Sequence, residues 1–268
     1  MNWLLFIANS IVGGFIQYQH QTNKVSDSSY PVTRPPAKVS VIIPAYNEES
    51  FIARALLSIQ SQNVVLAYPD LFEVIVVDDG STDRTAEIAS QYAKMLSLEK
   101  QPGIYYVRHA GIEAAEGEII VFADADMIWK PNFLNLLLRH FHNPEIVGVC
   151  GGFFNVDADP LTLLMQANYN ALQSVIISHI NMGVCAFRKD AYYAMGGYDF
   201  SIEQMARTDE KEIDFTRKLK SVGRVVWDLE ANVWAEARIR YCLTHPTDKT
   251  CDSPYCRYCL ERIAGKRF

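Results

Sequence analysis

The chain is 268 residues long, 49% apolar and 21% charged, with 25 basic and 31 acidic residues and a formal net charge of −6. That apolar content offsets the folding entropy of one large domain and excludes a disordered chain. The acidic balance argues against nucleic acid as a partner, and with no run of about 20 uninterrupted apolar residues a polytopic membrane protein is excluded.

In chain order, the stretch WLLFIANSIVGGFI (residues 3–16) is apolar but short, and Asn9, Ser10 and two glycines interrupt it. Residues 1–18 read either as a membrane or interfacial anchor or as a helix packed on the domain or a partner. The nearest positive charges, Lys24, Arg34 and Lys38, all follow it. An anchor so flanked would keep the rest of the chain cytosolic, so the expected location is cytoplasmic, with a membrane surface as a partner. Residues 19–38, with Pro31, Pro35 and Pro36, read as a linker. The main domain is expected over residues 39–240, in two halves that meet at 126–127, followed by a cysteine-rich tail at 241–268.

From residue 39 short β-branched runs alternate with helical periods. Strands are expected at 39–43, 72–77, 104–107 and 118–123, and helices at 48–62, 83–96 and 109–115. Alternation of this kind implies an α/β fold, a mostly parallel sheet flanked by helices through right-handed crossovers. Ile52, Leu56 and Ile59 fall at helical spacing and belong to the core, as do Ile88, Tyr92 and Met95. Further on, helices are expected at 131–141, 160–178 and 210–222, and strands at 147–153, 182–187 and 224–227. Cys150 and Cys185 sit in apolar runs and read as core.

In an open parallel sheet, ligands bind beyond the carboxyl ends of the strands. Three of the first four expected strands end there in polar chemistry. The first leads into Pro44, Ala45, Tyr46, Asn47 and Glu48. The second ends at Asp78 and Asp79, with Gly80 allowing the turn and Asp83 capping the next helix. The fourth ends at Asp124-Ala125-Asp126. A single such aspartate is usually only a turn residue; Asp157-Ala158-Asp159, for one, reads as a turn. Three acidic tips on one sheet edge repel one another unless a cation sits among them. Oxygen donors favour Mg²⁺ or Mn²⁺, which commonly takes one or two carboxylates plus substrate phosphates. A nucleotide diphosphate is then the natural ligand, although neither GxxxxGK[ST] nor GxGxxG occurs.

The runs VSVIIPAYNEE, VVDDGSTDRTAEIA and AAEGEIIVFADAD closely resemble the inverting family 2 glycosyltransferases of the GT-A fold, and the likeness continues through FRKDAYYAMGGYD to about Arg240. The resemblance implies a single catalytic domain with a nucleotide-binding half (39–126) and an acceptor half (127–240). It implies a nucleoside pocket of Pro44, Ala45, Tyr46 and Glu48, with Asp78 and Asp79 bonding base or ribose. Asp124 would face the ribose and sugar, Asp126 would ligate the metal on the diphosphate, and Ala125 lies between them. Arg108, in Arg108-His109-Ala110-Gly111, would contact donor or phosphate, while His109 reads as a capping or packing residue. The activity implied is transfer of a sugar from a nucleotide-diphosphate donor to an acceptor hydroxyl.

Counting back from Gly223 puts Glu212 at the family's base position. Lys211 stands where Glu is usual, and Asp209 and Glu210 are the alternative carboxylates. Asp214 is explained by an i,i+4 pair with Lys218. The loop between the third strand and Arg108 looks nearly absent, and the lack of QxxRW argues against processive polymerisation. In AEARIR, Arg238 either closes over the diphosphate or is ordinary surface. Other readings stay open: a polyprenyl-phosphate glycosyltransferase, a nucleotidyltransferase, or an inactive nucleotide-sugar-binding module. In the tail, Cys242, Cys251, Cys256 and Cys259 have the makings of a structural Zn²⁺ site, or are free thiols or disulfides.

Overall fold

The computed structural model of the protein describes residues 30–101, 103–155, 167, 170, 180–200 and 208–235. The strands are β1 (Val39–Ala45), β2 (Phe72–Asp78), β3 (Lys94–Ser97), β4 (Ile119–Ala123), β5 (Met127–Trp129), β6 (Ile146–Asn155), β7 (Val184–Arg188) and β8 (Arg224–Ala235). The helices are α1 (Ile52–Gln60), α2 (Asn63–Ala67), α3 (Thr85–Ala89), α4 (Ile104–Ala114), α5 (Phe133–Leu138), α6 (Lys189–Ala194) and α7 (Thr208–Val222). The strands form one sheet in the order β3-β2-β1-β4-β7-β6-β8-β5.

The first four strands are parallel, and β1, β2 and β4 read as near-continuous apolar runs, because helices cover both of their faces. Val39, Val41, Ile42 and Ile43 of β1 and all five residues of β4 are buried. In α1, Ile52, Leu56 and Ile59 are buried at the expected spacing. Helix α4 lies so close to the sheet that a Cβ on Gly111 would stand 2.5 Å from Ile42 Cγ2 and 3.1 Å from Val77 Cγ2. Strand β7 runs antiparallel to both β4 and β6, so its start meets the end of β4.

Two expectations are corrected. Residues 104–107 begin helix α4 rather than forming the third strand. Tyr105, Arg108 and Ile112 all become buried at helical spacing, as do Val107 and Gly111, and this outweighs the strand preference of Ile-Tyr-Tyr-Val. The third strand is instead Lys94–Ser97, paired in parallel with Ile75–Asp78. The helix expected over 83–96 therefore stops at Ala89. As a result, the loop before Arg108 is not absent: it runs from Leu98 to Gly103 and carries Lys100.

At the far side of the sheet, the buried Asp228 of β8 accepts hydrogen bonds from Arg139 Nη2 at 2.9 Å and shares one of 2.8 Å with His140 Nε2. Burial alone would push its carboxyl up, but these partners win and hold it below the ordinary aspartate value. Among the described residues no helix is long and apolar enough to cross a membrane. Residues 1–29, the helix expected at 160–178 except for residues 167 and 170, Asp157-Ala158-Asp159, Arg238 and the four tail cysteines lie outside the described residues.

Candidate active site

The ends of β1 and β2 are clipped together by their own polar side chains. Asn47, in a left-handed conformation with φ 54°, accepts the Thr82 N–H through Oδ1 at 2.9 Å, and its own N–H donates to Ser81 Oγ at 2.9 Å. The Glu48 N–H donates to Thr85 Oγ1 at 2.7 Å, and the Glu49 N–H to Asp83 Oδ2 at 3.1 Å. Asp83 also accepts the Thr85 N–H at 2.9 Å, within the first turn of α3. These bonds fix the Pro44–Glu48 loop beside the Asp78-Asp79 tip. In the sheet, Ala45 pairs with Asp78, and the Asp79 N–H donates to the Ala45 carbonyl at 2.9 Å.

Asp78 and Asp79 are both buried. Asp78 Oδ1 accepts the Ser81 N–H at 3.3 Å. Asp79 Oδ1 accepts the Gln101 N–H at 2.7 Å, and Asp79 Oδ2 accepts the Lys100 ammonium at 2.7 Å. The same ammonium stands 3.3 Å from the centroid of the Tyr46 ring. Lys100 and Gln101 were missed from the sequence because their loop was read as part of a helix-to-strand passage.

The second acidic tip has a different partner. Arg108 of α4 is almost completely buried between the rings of Tyr105 and Phe122, and its Nη2 lies 3.4 Å from Asp124 Oδ1. Burial works against the guanidinium charge, yet Asp124, with Tyr198, Tyr105 and Glu212 around it, holds the group above its ordinary value. In this buried position the guanidinium faces Asp124. His109 is a packing residue, its Nδ1 2.9 Å from Tyr192 Oη. The premise of several uncompensated carboxylates is thus corrected: Asp79 pairs with Lys100, and Asp124 with Arg108.

Asp124 and Asp126 both keep partial exposure while Ala125 between them is buried. Among the described residues no three His, Cys, Asp or Glu side chains form a metal-holding group. Two oxygen donors at a strand end nonetheless fit a hard divalent ion whose remaining ligands are phosphate and water. Gly183, at the mouth of β7, keeps room beside them: a Cβ there would meet Asp124 Oδ2 at 2.4 Å and Met127 Cε at 2.7 Å. No sequence signal marked Gly183, because its partner is distant along the chain.

Glu212 on α7 reaches the same corner. Its Oε1 accepts the N–H of Met182 at 3.4 Å, one residue before the glycine that flanks Asp124. Its charge also acts on Arg108, and on Cys150 and Cys185. Both cysteines are buried in the core, as expected, and are free thiols; burial pushes Cys150 up to about 12 and Cys185 well above the ordinary thiol value. Glu210 by contrast is exposed, and the side chain of Asp209 lies outside the described residues. Asp214 is occupied by Lys218 Nζ at 3.1 Å and by Arg217.

Comparison with known proteins identifies the family and the fold. The chain is 33% identical over 132 residues to the uncharacterized glycosyltransferase alr2836 of Nostoc sp. strain PCC 7120, a stretch that covers 47% of this chain and 39% of that protein. The chain spans well under half the length of the curated relatives it matches. Its fold is similar to the mannosyltransferase PcManGT from Pyrobaculum calidifontis, solved in complex with GDP-Man and Mn²⁺, with a TM-score of 0.60 and 21% identity over 86% of this chain and 66% of that one. It is also similar to S. aureus TarS 1-349 in complex with UDP-GlcNAc, with a TM-score of 0.58 and 20% identity over 85% of this chain and 72% of that one. The family model described as glycosyl transferase family 2 matches residues 40–194, more than half of the chain and all of the strand-end chemistry described above except Glu212. With this match and a GT-A-type sheet, the chain belongs to glycosyl transferase family 2.

Proposed function

We propose that the protein transfers a sugar from a nucleotide-diphosphate donor to an acceptor hydroxyl, with inversion, without processivity and with the help of a divalent cation. The observation that carries the proposal is the meeting of Asp124 and Glu212 across two successive residues, Gly183 and Met182. One carboxylate belongs to the donor side and the other can serve the acceptor, as an in-line displacement requires.

The roles follow from chemistry. Tyr46 and Asp79 hold the nucleoside, and the clipped loops of β1 and β2 keep them in register. Asp124 and Asp126 would hold Mg²⁺ or Mn²⁺, which when bound supplies positive charge to the departing diphosphate. Arg108 fixes the orientation of Asp124 from below. The acceptor oxygen bonds to the anomeric carbon as the bond from that carbon to the diphosphate oxygen breaks, so the configuration inverts. Glu212 takes the hydroxyl proton, a contribution typically worth about 10²–10⁴ in rate. The neighbour solved with GDP-Man and Mn²⁺ and the one solved with UDP-GlcNAc support the donor class and the metal.

The test is product analysis with labelled donors, offered with soluble glycans and with a polyprenyl phosphate. Release of nucleoside diphosphate, dependence on Mg²⁺ or Mn²⁺, and an inverted anomer in the glycan product are expected. Pyrophosphate release would instead reveal a nucleotidyltransferase. Label confined to the lipid phosphate would establish the polyprenyl-phosphate reading. Tight nucleotide binding without any transfer would mark an inactive binding module.

A further inference from the structure

A cleft opens between α4, α7 and the turn that follows α6, walled by the rings of Tyr105, Tyr198 and Phe200 and carrying Lys211, Asp214 and Asp199. All of these except Tyr105 lie beyond the residues 40–194 that the family model matches, so membership of the family does not say what the cleft holds. Its rings are fixed by one another: Tyr105 and Tyr198 meet edge to face with centroids 5.0 Å apart, and Phe200 stacks on Tyr106 at 4.4 Å. Phe200 keeps partial exposure, which leaves an apolar face at the mouth. The Lys211 ammonium stands 4.9 Å from the centroid of Tyr105, a cation–π placement. Asp214 is paired with Lys218 and Arg217, so the lining groups and these partners number three cations against two carboxylates, on a chain of net charge −6. The cleft adjoins the reacting corner. Tyr105 also lies 5.6 Å from the guanidinium that faces Asp124, Tyr198 Oη is 3.8 Å from Met182 Sδ, and Lys211 directly precedes Glu212.

We infer that this cleft binds the acceptor as a sugar ring that carries an acidic group, a carboxylate or a phosphate, with its C–H face on Phe200 and its acid on Lys211. This rests on the glycosyltransferase reading above and names the class of acceptor for that same site. Small-ligand sites combine aromatic walls with a few placed polar groups, and a sugar ring has the matching halves, an apolar C–H face and a hydroxyl edge. The ring face meets Phe200, and the exposed Asp199 at the rim accepts hydroxyls. The acid then takes a charge-assisted hydrogen bond from the ammonium, stronger than the neutral hydroxyl contact an uncharged sugar would make there. A polyprenyl phosphate supplies the acid but no hydroxyl edge for Asp199.

The experiment is a transfer assay on the full chain with Mn²⁺ and UDP-glucose, UDP-N-acetylglucosamine or GDP-mannose, read as nucleoside diphosphate release and labelled product. The acceptors are p-nitrophenyl glucoside, galactoside and mannoside, each beside its uronide and its 6-phosphate, two arms that separate carboxylate from phosphate. At least one acidic acceptor is expected to have a kcat/KM tenfold or more above that of its neutral counterpart. In Lys211→Ala that ratio shrinks to less than threefold, because the KM of the acidic acceptor rises far more than that of the neutral one. Lys211→Arg, which keeps a charged donor, retains most of the ratio. An unchanged thermal melting curve for Lys211→Ala would exclude a folding defect. Equal use of neutral and acidic acceptors, or an undiminished ratio in Lys211→Ala, overturns the inference while leaving the transferase reading in place. No release of nucleoside diphosphate from any donor overturns that reading and the inference with it.

Discussion

The two halves of the sheet are built on different principles. From β3 to β4 the strands are all parallel, each ends at the same edge, and each acidic tip stands one strand from its neighbour. From β7 to β5 the directions mix, with β7 and β5 reversed and β6 and β8 joined in parallel through two irregularities in register. The first half brings chemistry together through topology alone, since every β-to-α turn falls at the ligand-binding edge. The second half contributes individual groups, Gly183 from the beginning of a strand and Glu212 from a helix. A donor common to a family suits the first arrangement, and an acceptor particular to one protein suits the second.

Four substitutions would break or sharpen that contrast. The largest effect is expected for Glu212→Gln, which should lower turnover by about 10²–10⁴ while leaving calorimetric donor affinity intact. Loss of donor affinity would instead give the residue to the scaffold. Asp126→Ala should cost about 10²–10³ in metal-dependent turnover, read as nucleoside diphosphate release, and full activity would remove the metal from the mechanism. Gly183→Ala forces a methyl against Asp124 and Met127, so turnover should fall about 10-fold to 100-fold and stability by about 1–3 kcal/mol on denaturant titration.

The smallest effect belongs to Asp228, in the other half of the sheet. Its folded carboxyl titrates below the unfolded value, about 3.9, so the unfolded chain binds the proton first as pH falls. Its contribution is therefore full above that value and lost as pH drops through the folded one. Melting temperatures measured from pH 6 down to pH 3 should show a fall that Asp228→Asn flattens, with no change in donor binding at neutral pH.

The contrast between halves also explains what was legible. The parallel core announced itself in VSVIIPA, FEVIVVD and EIIVFA, because strands covered on both faces need apolar residues throughout. The aspartates at their tips were equally plain. Lys94–Ser97 was not, since a strand exposed at both ends and half-buried between carries little pattern, and Met95 continued a helical stripe begun by Ile88 and Tyr92. Ile104–Val107 misled in the opposite way: its β-branched and aromatic residues are in α4 because the helix buries Tyr105 and Val107 together with Arg108 and Ile112. That exchange hid Lys100. The ion pairs of Asp79 and Asp124 were out of reach because both depend on where α4 and its preceding loop come to rest.

Gly111 makes no polar contact with the site, yet it sets how far α4 sinks into the sheet. Arg108 stands one turn earlier on the same helix, so the spacing between two aliphatic side chains and a bare Cα determines the distance from guanidinium to Asp124. A single methyl group at position 111 would overlap Ile42 and Val77, so either those side chains or the helix itself must move, and with the helix would go a contact that is already 3.4 Å. The electrical balance of the candidate site is in this sense adjusted from the hydrocarbon beneath it, by steric means alone.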